Sequence, residues 1–158
     1  MKITLKAFTS VLAIASLILF TGCGGGSEPT PSVEDQQLAK LSATWTISDV
    51  TLDAVSKKTD YSAFTLTISG TAGATSFGYS TSGRPSTSPW KGSGTWAFGT
   101  SAESQITRDK GTADELPLTY SLSADGKTLQ VSFTFSGTGY TARTSNVKGA
   151  WVFTFTKP

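Results

Sequence analysis

The 158-residue chain carries 13 basic and 11 acidic residues, one cysteine and no histidine. Without histidine there is no Ser-His-Asp or Cys-His nucleophile, and the usual zinc ligands are missing. A formal charge of +2 gives no basic field for nucleic acid and no charge block for an acidic partner.

Residues 1–22 read as an export signal. Lys2 and Lys6 supply a positive start, residues 11–20 form an apolar run broken only by Ser16, and the small residues Thr21 and Gly22 lead to a cleavage point. The run is too short to cross a bilayer, which takes roughly 20 apolar residues. The single cysteine, Cys23, stands at the expected cut, where a lone thiol has no internal disulfide partner. All acidic residues and eleven of the basic ones lie after Cys23, so the exported part is formally neutral.

Phe20-Thr21-Gly22-Cys23 resembles the lipobox of bacterial lipoproteins, with Phe20 where that family prefers leucine. The resemblance implies that the Cys23 thiol takes a diacylglycerol and becomes the mature N-terminus. Each buried methylene contributes about 0.8 kcal/mol, and more than one acyl chain gives stable anchoring. The implied location is the cell envelope, held in the outer membrane through lipidated Cys23. Residues 23–33 then form a tether: Gly24-Gly25-Gly26-Ser27 is flexible, and Pro29 and Pro31 extend it. The glycine run has neither the lysine nor the strand-loop-helix setting of a phosphate-binding loop.

Ser32 is placed to cap a short helix reaching about Leu41, with Glu34 and Asp35 at its positive end and Lys40 near its negative end. Leu38 and Leu41 would dock it on the domain, which occupies residues 34–158. There the composition turns to Thr, Ser, Gly and aromatics, the residues of strands and turns.

Eight strands are expected. In residues 44–52, Trp45 and Ile47 share one phase while Val50 and Leu52 share the other, which predicts a β-bulge near Ser48-Asp49. Residues 64–68, 75–80, 94–98 and 105–108 follow, the last with Ile106 as its one apolar anchor. Leu116, Leu118, Tyr120 and Leu122 alternate, Asp125-Gly126 marks a hairpin turn, and Leu129, Val131, Phe133 and Phe135 answer across it. Trp151, Phe153 and Phe155 alternate in the last strand. Two connections are long, residues 81–93 and 137–148. The one-sided alternation and short hairpins favour an all-β, eight-stranded antiparallel up-and-down barrel over a sandwich, closed by pairing the first strand with the last.

Residues 41–47, 60–67, 92–98, 106–109 and 149–153 resemble the lipocalin-like lipoproteins of the Bacteroidota over nearly the whole domain. Ala43-Thr44-Trp45 stands where lipocalins carry Gly-x-Trp. The resemblance implies a lipocalin-like barrel, and an arginine late in the chain packed over Trp45, for which Arg143 is the nearest candidate.

The remaining chemistry is sparse. Asp109, Asp114 and Glu115 fall in one turn region, where a solvated turn is the plain reading and a glycosidase pair or calcium loop the sharper one. The strand aromatics either fill the barrel or line a cavity for a small hydrophobic ligand. Trp90, in a Pro-flanked loop, is either an exposed contact residue or a lid folded down over the barrel. The candidate ligand contacts are Trp90, Tyr79, Trp96, Tyr140 and Arg143. The expectation is a non-catalytic envelope lipoprotein that holds a small hydrophobic ligand. The alternative is a filled barrel that meets an envelope protein or glycan through its long loops. Neither reading requires a cofactor, a metal or a nucleic-acid partner.

Overall fold

A computed structural model describes residues 30–139 and 147–158. The signal, Cys23, most of the tether, and Tyr140, Arg143 and Asn146 lie outside the described residues. One helix, α1 (Val33–Leu41), precedes nine strands: β1 (Ala43–Leu52), β2 (Val55–Ser56), β3 (Thr65–Ser69), β4 (Phe77–Ser82), β5 (Ser93–Phe98), β6 (Gln105–Arg108), β7 (Leu116–Leu122), β8 (Thr128–Phe135) and β9 (Gly149–Thr156).

Every neighbouring pair is antiparallel, and β1 pairs with β9 to close the sheet. Eight strands form the barrel. The ninth, β2, is a two-residue extension that folds back on the end of β1 through Thr51–Ser56 and Leu52–Val55. Its turn places Asp53 and Ala54 at positive φ, the conformation of a tight hairpin. It escapes the hydrophobic pattern because both its residues are exposed.

The expected bulge is present. Ile47 pairs with Phe155 and Asp49 with Thr154, leaving Ser48 as the extra residue. The Ser48 hydroxyl donates to the Thr154 carbonyl at 3.0 Å, so the inserted residue is tied back to the ladder. The extra residue returns Val50 to the inner face already occupied by Trp45 and Ile47.

Helix α1 closes one end of the barrel. Ser32 accepts from the Asp35 N–H at 3.0 Å, the N-cap bond that the sequence predicts. Leu38 and Leu41 are buried, and the Trp45 indole donates to the Leu41 carbonyl at 2.8 Å. Among the described residues a cation lies over Trp45: Lys157 Nζ, just past the last strand, is 4.9 Å from the ring centroid and donates to the Lys40 carbonyl.

The two ends differ. At the α1 end the connections are residues 70–76, 99–104 and 123–127. At the far end 109–115 is no longer than these, but the stretch 53–64, which includes β2, the connection 83–92 and the one between β8 and β9 are. Between the ends, alternation sends one continuous set of apolar side chains inward, including Trp45, Phe64, Leu66, Leu129, Phe153 and Phe155.

Candidate functional site

The far end of the barrel is filled by its own loop. Gly83 takes φ +63, and a Cβ there would collide with the Ala63 backbone, so the chain turns into the barrel on a glycine. Ser88, Pro89 and Trp90 are then all buried, Trp90 with only 3 % of its surface exposed. Of the two readings for this tryptophan, the folded-down lid is the one found. Its ring lies 5.8 Å from Tyr79, 5.8 Å from Phe133 and 5.9 Å from Phe153, centroid to centroid, in edge-to-face contacts.

The loop is held from both sides. The Arg84 guanidinium donates to the Trp90 carbonyl at 2.9 Å, and the Trp90 N–H donates to the Ser88 hydroxyl at 3.1 Å. Arg108 reaches up from β6, donates to the Pro89 carbonyl at 2.9 Å, and sets its guanidinium carbon 5.2 Å from the Trp90 ring centroid. The Trp90 indole N–H is buried without an acceptor among the described residues. Leaving such a donor unmet costs about 1–3 kcal/mol, which the packing and the cation over the ring offset.

Arg108 and Asp109 are buried, which composition and turn position do not predict, although the strand pattern carries one signal. Ile106 faces inward, and a period of two puts Arg108 on the same face. Arg108 is 1 % exposed and Asp109 3 %. Asp109 sits at φ +51, just past the strand, and both its oxygens are engaged. Oδ1 accepts from the Thr95 N–H at 3.0 Å and Oδ2 from the Tyr79 hydroxyl at 3.2 Å. Arg108 Nε lies 3.6 Å from Oδ2 and Lys91 Nζ 3.8 Å. Gly94 leaves the room for this carboxylate, since a Cβ there would strike both Asp109 and the Tyr79 ring.

The three carboxylates of this turn therefore face different partners. Lys91 stands between Asp109 and Asp114, with Nζ 2.7 Å from Asp114 Oδ2. Glu115 accepts from the Gly111 N–H at 2.6 Å. A glycosidase needs one carboxyl free to give a proton and another free to attack or to activate water. Here the buried member is saturated with donors and the next is ion-paired. Among the described residues no group of three or more His, Cys, Asp or Glu side chains is placed to hold a metal.

Trp90, Tyr79 and Trp96 are brought together around the barrel interior, along with Arg108, Tyr120 and Leu41. Tyr140 and Arg143, the other two candidate contacts, lie outside the described residues. The space these side chains leave is a cavity of about 20 Å³ with an apolar wall. One water molecule needs roughly 10–15 Å³ on this measure, and an apolar cavity of this kind stays dry. Burial pushes the Tyr61 phenol up to about 12 and raises Tyr120 above its ordinary value as well. Tyr61 sits under the loop plug, hydrogen-bonded to Ser88, and Tyr120 donates to the Ala102 carbonyl near the α1 end.

No known family model matches the chain, and no curated protein or solved structure does.

Proposed function

We propose that the chain is a non-catalytic cell-envelope lipoprotein, anchored in the outer membrane through acylated Cys23, that works through the surface of a filled barrel. The observation that carries this reading is the interior. Trp90, with Arg108 over its ring, occupies the place where a carried ligand would sit, and a cavity of about 20 Å³ remains. Pockets for drug-sized ligands run to roughly 300–1,000 Å³. The lipobox resemblance at Phe20-Thr21-Gly22-Cys23 supports the anchor. The tether enters at the α1 end, so anchoring there turns the long connections away from the membrane, towards an envelope protein or glycan.

Two measurements test the two halves of the proposal. Cys23→Ser should move the protein from the membrane to the soluble fraction, and a variant that stays membrane-bound overturns the anchor. Native mass spectrometry of the purified protein, beside an organic extract of it, should give an apo mass. A stoichiometric co-purifying apolar compound would return the hydrophobic-carrier reading to first place.

A further inference from the structure

The outer wall of the barrel is almost free of charge. Among the described residues of its eight strands only Asp49 and Arg108 are ionisable as acid or strong base, and Arg108 is buried. Lysines, arginines, aspartates and glutamates lie on the connections and on α1. The wall instead presents hydroxyls, with Thr107, Thr119, Ser132, Thr134 and Thr154 outward on β6 to β9. Soluble strands ordinarily place lysine or glutamate at such positions to stay apart.

The wall is also not evenly convex. β7 and β8 pair from Thr119–Ser132 to Leu122–Leu129, while β7 starts three residues earlier and β8 runs three residues later. Pro117 lies in that stretch, with no N–H to give across it. Over this parting lies an open groove of about 980 Å³ that crosses from the end of β5 to the start of β9. Thr100, Gln105, Thr107, Thr119, Ser132 and Thr134 line it. Pro117, Ala150 and Val152 give it apolar ground, and Lys110 is the one charged side chain among the described residues that line it.

We infer that this groove binds a strand of uncharged polysaccharide. Each hydroxyl both donates and accepts, as sugar hydroxyls do, so register along the groove is not tied to a few fixed donors. Groups that meet here also leave no ion stripped of water. Among the described residues lining the groove, a polyanion or an acidic peptide would find only Lys110 to offset several desolvated charges. The groove is long and open, which fits a polymer that passes through, where a small molecule would be left mostly in water. This inference rests on the reading that the surface does the work, and it moves the contact from the loops to the wall. It does not depend on the anchor.

The test uses the full chain purified in detergent and depletion by insoluble polysaccharides: cellulose, xylan, mannan and curdlan as neutral probes, and polygalacturonate as the anionic one. At least one neutral probe should deplete the protein and polygalacturonate should not. Thr119→Lys combined with Ser132→Lys should weaken that binding tenfold or more, while Ser80→Lys on β4, outside the groove, should leave it unchanged. Gln105→Ala serves as a mild second variant should the double change disturb folding, and it should weaken binding several-fold. Failure of every neutral probe overturns the inference, as does equal loss in Ser80→Lys, or depletion by polygalacturonate alone. Loss of the anchor in Cys23→Ser would leave all these outcomes as they are, so the two failures are separable.

Discussion

The two ends of the barrel are closed by different physics. At one end α1 lays Leu38 and Leu41 over the opening, and its polar ties among the described residues are single bonds: the Trp45 indole to the Leu41 carbonyl, Lys157 to the Lys40 carbonyl, and the Gly73 N–H to the Asp35 carboxylate. At the other end a loop carries Trp90 into the core, and buried charge holds it there, with Arg108, Asp109 and Lys91 around it. The first plug is local and cheap to build, because a capped nine-residue helix precedes the strand it covers. The second joins β4, β5 and β6 and exists only when all of them are in place. A buried charge without its partners is costly, so the loop end is an all-or-none assembly, while the helix end can fray by degrees.

That contrast can be broken most directly at Trp90. Trp90→Ala should destabilise the protein by about 3–5 kcal/mol, read as a lower urea midpoint at unchanged slope. A loss under about 1 kcal/mol would mean that the plug is ornamental. Asp109→Ala should cost about 3 kcal/mol, the usual result of removing one member of a buried charged group. It should also do so with little change in secondary structure by circular dichroism. If Asp109→Ala were neutral, the cluster would not be what holds the loop.

On the other end, Leu41→Ala should cost about 2–5 kcal/mol by cavity formation, and the loss should appear as faster amide exchange in α1 before the strands. Uniformly faster exchange across the barrel would show that the two ends are one cooperative unit.

Alkali sharpens the comparison because Tyr61 lies under the loop plug and Tyr120 near the helix end. Both phenols are raised in the folded protein, Tyr61 to about 12, so the folded state holds these protons where the unfolded chain releases them. Their contribution to stability is complete below about pH 10 and is lost as pH rises through the folded value. Absorbance at the phenolate band should therefore rise for these two residues only together with unfolding, and a separate titration of either near pH 10 would contradict the burial. The smallest effect is expected at the cap. Ser32→Ala should cost about 1 kcal/mol, seen as a lower melting temperature, and no change would indicate that packing alone holds α1.

Much of this architecture was legible in the residues. The alternation in residues 64–68, 116–122, 129–135 and 151–155 located strands because inward and outward positions differ in chemistry at every second residue. The phase slip between Ile47 and Val50 gave away the bulge, since a pleated strand has no other way to keep both on one face. Ser32 and Asp35 marked the helix start. The candidate site was less legible. Trp90 sits in a loop with no periodicity to say which way a side chain turns, so only the loop's place in the fold separates an exposed contact from a lid. Arg108 carried a periodic signal through Ile106, but an arginine on an inner face reads as an error until its partners are known. Those partners are the Pro89 carbonyl, the Trp90 face and Asp109, and the first two come from another connection.

What the amino-acid order determined by itself is local: the helix and its cap, the strands and their inner faces, the hairpin at Asp125-Gly126, and an antiparallel barrel as the way to bury eight one-sided strands. Whether that barrel is hollow was a tertiary decision. It depended on a loop 19 residues ahead of Arg108 in the chain folding inward to meet it, and on the summed side-chain volume inside a closed wall. Neither quantity is carried by any short stretch of sequence, because burial of a loop side chain is settled by what lies across the barrel from it.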